Sequence, residues 1–338
     1  MTRCAAIVVG VFALAIGLMA DVEPDLRQTL THELRFSPGD LAALDRGAIV
    51  KHGLPGMAPG EVAVVGAVLV KATKETLVDR VRDIATFKRG PDVLQIGRFS
   101  SPPMLEDLAS LTIDKEDLDV RTCRVGDCDV RLSADVIVRF EREIDWRAPD
   151  AHARAAALFK QVLLDNVRAY VLGTPGRMTE YNDGKRPIRP VEDFVGLLKH
   201  SSYIGELVPG LRAYLQEFPS SPLAGAEDFL YWSKEKFGFT PFITVTHVTI
   251  ARAPSGAVVI TSRDVYSSRY FDASVAATIA SDTAGDSHAF YLVYVNRSRV
   301  NALKGALSGL RRAIVDRRAK SSLEQNLKAT RTRLEKGL

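Results

Sequence analysis

The sequence predicts an α+β fold: an antiparallel sheet wrapped on a long C-terminal helix, with a helical insertion dividing the sheet-forming segments. Three observations predict it. A strand, helix, strand pattern occupies roughly 60–100, a helix-rich block follows at 104–224, and from Pro241 the hydrophobic period becomes two for four segments that precede a long helical stretch. The 338 residues are 46% apolar and 25% charged, a balance that excludes disordered, collagen-like and multispanning chains.

At the N-terminus, Arg3 precedes an apolar run from Ala5 to Ala20 that stops before Asp21. This reads as a secretory signal peptide over 1–20, shorter than the roughly 20 apolar residues of a spanning helix. An exported protein, periplasmic or extracellular, is expected, with an uncleaved membrane anchor as the alternative. Cys4 would leave with the leader. The remaining pair, Cys123 and Cys128, is even in number and flanks Gly126-Asp127, which suits a disulfide in an oxidising compartment, worth about 2 kcal/mol by loop closure. Two free buried thiols are the alternative.

Ser37-Pro38 with Asp40 reads as a helix start and Gly47 as its stop. The Val-rich run Glu61–Lys71 predicts a strand, Thr73 caps a helix carrying Leu77, Val78, Val81 and Ile84, and Val93–Phe99 predicts a second strand. The acidic stretch Asp114–Asp119, read as solvated, leads into the cysteine turn and helices near 133–143 and 149–172. Thr174–Pro190 is rich in turn residues, and shorter helices are expected at Val191–His200 and Pro209–Phe218. Ala226–Phe237 is read as another helix closed by Gly238. Strands follow near 241–252, 257–267, 270–281 and 288–296, joined tightly enough to form a meander.

Ser298 is expected to cap the final helix, whose first half aligns Leu303, Leu307, Leu310 and Ile314. A neighbouring stripe of Ala302, Gly305, Ala306, Gly309 and Ala313 leaves room for close approach by the sheet or by a ligand. Beyond Val315 the pattern fails, so the helix bends or its second half packs elsewhere. Residues from Arg297 onward carry a net +9 within a chain of +4 overall. With export making nucleic acid an unsuitable partner, that tail points to an anionic membrane surface met through Arg317, Arg318, Lys320, Lys328, Arg331 and Arg333, or to an ordinary solvated helix face. The expected organisation is a leader (1–20), an N-terminal part of the sheet domain (21–103), a mainly helical insertion (104–224), the C-terminal sheet and helix (225–316) and a basic helical tail (317–338).

This element order, over roughly 60–100 and 226–316, resembles the START-related helix-grip (SRPBCC-like) superfamily, which includes lipid-transfer domains and polyketide cyclases. The resemblance implies a helix-grip-like sheet curved around the last helix, and binding of a hydrophobic small molecule or lipid in the cavity between them. Among polar residues in or beside the strands, His247, Arg263, Tyr270 and Tyr294 are the candidates for orienting such a ligand, with Gly305 and Gly309 giving it room.

Sharper chemistries fail residue by residue. The six His include no H-E-x-x-H pair, Gly305–Gly309 does not fit G-x-S-x-G, and Gly184-Lys185 lacks the earlier Gly of a phosphate loop. No catalytic residue, metal or cofactor is therefore assigned. The expectation is a binding protein for a hydrophobic ligand; the alternatives are an interaction module using the insertion and basic tail, or an enzyme on the same fold.

Overall fold

The computed structural model describes residues 26–174, 180–236, 240–283, 286–300 and 308–337. The expected leader, Gly305 and the surroundings of Gly309 fall outside the described residues and side chains. An eight-stranded antiparallel sheet organises the chain, in the order β1-β2-β8-β7-β6-β5-β4-β3. Its N-terminal elements are α1 (Leu26–Gln28), α2 (Pro38–Asp45), β1 (Val50–Leu54), β2 (Glu61–Val70), α3 (Lys74–Arg82), α4 (Ile84–Phe87) and β3 (Val93–Arg98). The insertion contributes α5 (Ala134–Glu143), α6 (Ala151–Val171), α7 (Pro190–Lys199), α8 (Tyr203–Leu207) and α9 (Leu211–Glu217). Then come β4 (Glu227–Glu235), β5 (Phe242–Arg252), β6 (Val258–Ser267), β7 (Phe271–Thr283), β8 (Asp286–Val300) and α10 (Ser308–Lys336).

Local chemistry explains the helix starts. The Asp40 N–H donates to Ser37 Oγ at 3.1 Å while the Ser37 N–H donates to Asp40 Oδ2 at 2.9 Å, a reciprocal cap. Thr73 Oγ1 accepts from the Thr76 N–H at 3.2 Å. From β2 the chain crosses through α3 and α4 to β3 at the far edge, and the β4–β8 meander then returns strand by strand to pair β8 with β2, from Glu61↔Arg299 to Val70↔Phe290.

Both faces of the sheet are covered. On one, which we call the α10 face, Val64, Val68 and Val70 of β2 join Leu77 and Val81 of α3 and Leu323, Leu327 and Leu334 of α10 in one core. On the other, Ala63, Val65 and Ala67 pack with Phe194, Leu197 and Leu211 of the insertion, while Leu230 and Trp232 pack with Phe140 and Phe159. The insertion thus lies on the sheet face opposite α10. The turn at Gly126, in the left-handed region at φ +88°, is closed by a disulfide between Cys123 and Cys128.

Three expectations are corrected. Residues 226–237 form strand β4, because Phe229 and Tyr231 bury on the α10 face while Leu230 and Trp232 bury against the insertion. A strand buried on both sides loses the polar and apolar alternation that marks it in sequence, and its aromatic content then speaks more strongly than its period. Ser298 does not cap a helix: β8 runs on to Val300, held by β2 on one side and β7 on the other, and Ser298 is buried within it. The acidic stretch is anchored rather than free, since Lys234 of β4 binds Asp117 at 2.5 Å and Asp114 at 2.8 Å, with Asp117 buried. Strand β1 had no counterpart in the sequence reading; its pattern Val-Lys-His-Gly-Leu is too short and mixed to stand out.

Helix α10 continues unbroken through its basic half, and that half packs on the sheet. Leu323 and Leu327 lie over Gly66, where a Cβ would come within 2.7 Å of Leu327 Cδ1, so only glycine in the middle of β2 lets the helix approach so closely. Truncating Leu327 to Ala leaves a void over Gly66 and is expected to lower unfolding free energy by about 2–5 kcal/mol in urea melts. Unchanged stability would mean that α10 contributes no core.

Candidate functional site: a polar cavity on the sheet face shared with α10

Along each of four adjacent strands, side chains on the α10 face change from apolar to polar in the same direction along the sheet, one step later in β6 and two steps later in β5 than in β7 and β8. In β5, Val248 and Ile250 give way to Thr246 and Thr244; in β6, Val258 and Ile260 give way to Ser262 and Asp264. In β7, Ala280 gives way to Thr278 and Ser274; in β8, Phe290 and Leu292 give way to Tyr294, Asn296 and Ser298. The ladder aligns these positions, pairing Thr246 with Asp264, Ser262 with Ala276, Ala276 with Asn296 and Ser274 with Ser298. The apolar level is filled by α3 and α10. Above the polar level lies a cavity of about 300 Å³.

Its walls are mixed among the described residues. Tyr231, Phe242, Phe271 and Tyr294 supply aromatic surface, and Lys88, Glu235 and Asp264 supply charge. Hydroxyl and amide groups complete the lining. Ser298 Oγ donates to Asn296 Oδ1 at 2.8 Å, and Asn296 Nδ2 donates to Ser274 Oγ at 3.3 Å. Ser233 Oγ donates to Glu235 Oε1 at 2.6 Å and lies 2.9 Å from Thr244 Oγ1. Lys88, from the segment after α4, pairs with Glu235 and sits over the Tyr231 ring at 5.1 Å. Burial alone would lower the Lys88 ammonium, but Glu235 more than offsets it, so the pair is ionic.

Asp264 is the group whose charge the surroundings leave open. Thr246 Oγ1 donates to its Oδ1 at 3.1 Å, Ser274 bonds it as well, and the carboxylate lines the cavity. Burial pushes its pKa up to about 7; Glu235 adds to the rise, while Lys88 and hydrogen bonds from Thr246 and Ser274 oppose it. Burial likewise pushes Tyr294 up to about 12, leaving a neutral phenol as a hydrogen-bond donor and acceptor. The cavity therefore combines apolar rings, a fixed ion pair and a carboxyl that exchanges a proton near neutrality.

Of the residues singled out from sequence, Tyr294 lines this cavity. His247 and Arg263, which face each other across β5 and β6, are on the opposite sheet face. His247 lies 2.8 Å from Asp228, and Arg263 donates to the Leu215 carbonyl at 3.0 Å with its guanidinium 3.9 Å from the Phe194 ring centre. Strand parity is the reason: Thr246 and Asp264 point into the cavity, so their neighbours in sequence point away. Tyr270 sits in the β6–β7 turn at φ +64°, its hydroxyl donating to the Thr240 carbonyl at 3.0 Å, and the next residue, Phe271, takes the wall position. The basic residues of α10 are partly committed as well. Arg331 donates to the Gly47 carbonyl, and Arg333 to those of Phe87 and Arg89.

Sequence reasoning missed Lys88, Tyr231, Glu235 and Asp264. The signal that could have found the belt was present: four consecutive strands each carry hydroxyl, amide or carboxyl groups at same-face positions at corresponding ends.

No family model matches the sequence, and no curated protein matches it. Among solved structures, a STAR-related lipid transfer protein fragment from Xanthomonas axonopodis matches at 10% identity and a TM-score of 0.38, covering 85% of this chain and 93% of that one. The α+β, helix-grip-like character of the present chain follows from its own strand order and from α10 lying on the sheet.

Because the folded state holds the Asp264 proton more tightly than the unfolded chain, the stabilisation from that proton is complete below the usual carboxylate value of about 3.9. It is lost as pH rises through about 7. Asp264→Asn, which cannot ionise, is expected to gain stability over the wild type between about pH 5 and pH 8, by on the order of 1–3 kcal/mol in urea melts. A difference independent of pH would show that the carboxyl does not titrate in this range.

Proposed function

We propose that this protein is a binding protein for a small amphipathic molecule, held in the cavity with its apolar body against Tyr231, Phe242, Phe271 and Tyr294 and its polar group at Asp264. The observation that carries the reading is the shared polar end of four strands, where Thr246, Asp264, Ser274 and Ser298 lie on one face. It leaves a space with rings on its sides and hydrogen-bonding groups across its floor. A volume of about 300 Å³ is at the small end of ligand sites, which span roughly 300–1,000 Å³. The lining is mixed rather than wholly apolar, which favours an amphipathic ligand over a purely hydrophobic one. A compact lipid with a hydrogen-bonding head belongs to the class that fits.

Export is part of the same proposal, supported by the leader-like residues 1–20 and by the disulfide of Cys123 with Cys128. Contact with an anionic membrane surface is proposed at the exposed Arg317 and Lys328. Arg331 and Arg333 serve backbone carbonyls instead, and Lys320 lies close over Gly53 of β1. A second reading, an enzyme using the same cavity, is favoured by one observation: a carboxyl near neutrality lining the cavity is suited to proton transfer.

The test uses 2-naphthol, a ring with one hydroxyl, followed by fluorescence on the full chain. It is expected to bind, with Asp264→Leu weakening it about tenfold through the lost hydrogen bond, and Ala276→Trp, which fills the cavity from β7, abolishing it. Binding that survives Ala276→Trp, or no binding to the wild type, would overturn the proposal.

A further inference from the structure

A cleft lies away from this cavity, at the start of β4 and beside the loop that follows β3. It measures about 570 Å³, and its walls include Phe99, Ser101, Phe218, Phe229 and Asp228, with Arg98 at its side. Asp228 is the end of a relay assembled from four elements. His247 of β5, 1% exposed, has Nε2 2.8 Å from Asp228 Oδ1 and Nδ1 2.8 Å from the Tyr170 hydroxyl of α6. A carboxylate can only accept, so Nε2–H donates to Asp228, and in the neutral ring Nδ1 accepts the Tyr170 proton. Thr249 Oγ1 donates to Asp228 Oδ1 at 2.7 Å, and the Tyr214 hydroxyl of α9 donates to Oδ2.

Counting lone pairs shows what is left. An ionised carboxylate accepts about four hydrogen bonds, and these three donors fill both sites on Oδ1 and one on Oδ2. The remaining site on Oδ2 belongs to a side chain that is 23% exposed and lines the cleft. Burial would raise the Asp228 pKa, but the three donors outweigh it and hold the group below its ordinary value, so it is a standing anion. The other carboxylate of the cleft, Asp107, spends Oδ2 on the Ser100 N–H and hydroxyl and on the Met104 N–H.

The rings around Asp228 complete the setting. Phe218 packs 4.3 Å from the His247 ring on the same sheet face as Asp228, and its aromatic face is suited to a cation; Phe229, on the other side of β4, already carries the Arg98 guanidinium 4.3 Å from its centre. We propose that the cleft is a second binding site, one for an organic ammonium ion, whose N–H group completes the Asp228 carboxylate while its apolar body lies along Phe99 and Phe218. The preorganised relay makes this economical: Asp228 is already fixed by three donors and needs no rearrangement to accept the fourth.

The experiment compares phenethylamine with 2-phenylethanol, which matches its shape and lacks the positive charge, by calorimetric titration of the full chain near pH 7. The amine is expected to bind at least about tenfold more tightly, a difference that Asp228→Asn removes. Ser101→Trp, which touches none of the relay, is expected to abolish binding by filling the cleft, while Ala276→Trp in the first cavity leaves it unchanged. Should Asp228→Asn fail to fold by circular dichroism, the two tryptophan variants and the alcohol still decide. Equal affinity for amine and alcohol, no binding of either, or loss of amine binding in Ala276→Trp would each overturn the proposal; the last would move the amine to the first cavity and leave the reading of that cavity standing.

Discussion

The register of the eight-stranded ladder is the constraint on which everything else depends. Successive side chains on a strand point to opposite faces, so a slip by one residue would exchange the faces of a whole strand. Here such a slip in β6 would carry Asp264 out of the cavity and put Arg263 in. Both faces are occupied, one by α3, α4 and α10 and the other by the insertion, which leaves no neutral side to slip towards. The β2–β8 pairing carries the most distant contacts, running from Glu61↔Arg299 to Val70↔Phe290, and α10 then lies against the strand that those contacts hold in place.

Within that frame, polar groups are placed where packing stops. Buried hydroxyls and carboxyls cost free energy unless they are hydrogen-bonded, so a core strand carries them only where partners or space compensate. On the α10 face the partners are other strands: Ser233 with Glu235 and Thr244, Thr246 with Asp264, and Ser298 with Ser274 and Asn296. On the opposite face, His247 and Asp228 are held by Tyr170, Tyr214 and Thr249 from the insertion and the sheet. The same insertion that hides the back of the sheet therefore builds a second polar centre, separated from the first by the thickness of one sheet.

The two centres differ in charge behaviour because burial, with Glu235 beside it, prevails at Asp264, whereas three donors prevail over burial at Asp228. Asp264 is buried beside Glu235 with hydrogen bonds from Thr246 and Ser274, and its proton is held to about pH 7. Asp228 receives three donors and stays ionised. Two carboxyls on one sheet are thus set to different tasks by their surroundings, one able to exchange a proton and one to present a lasting negative charge.

What the sequence by itself determined was local and periodic. The caps at Ser37 and Thr73, the runs of Val and alternating apolar residues in β2 and β5–β8, the turn between Cys123 and Cys128 and the helical insertion all act over a few residues, and each leaves a pattern that can be read. What only the tertiary structure decided was parity and partnership. Whether Thr246 or His247 faces the cavity, whether residues 227–235 pair as a strand, and whether the basic half of α10 lies on Gly66 depend on contacts between segments far apart in the chain. A strand buried on both faces erases the alternation that would reveal its orientation, so the side of the sheet to which a polar residue belongs is settled by what packs against it.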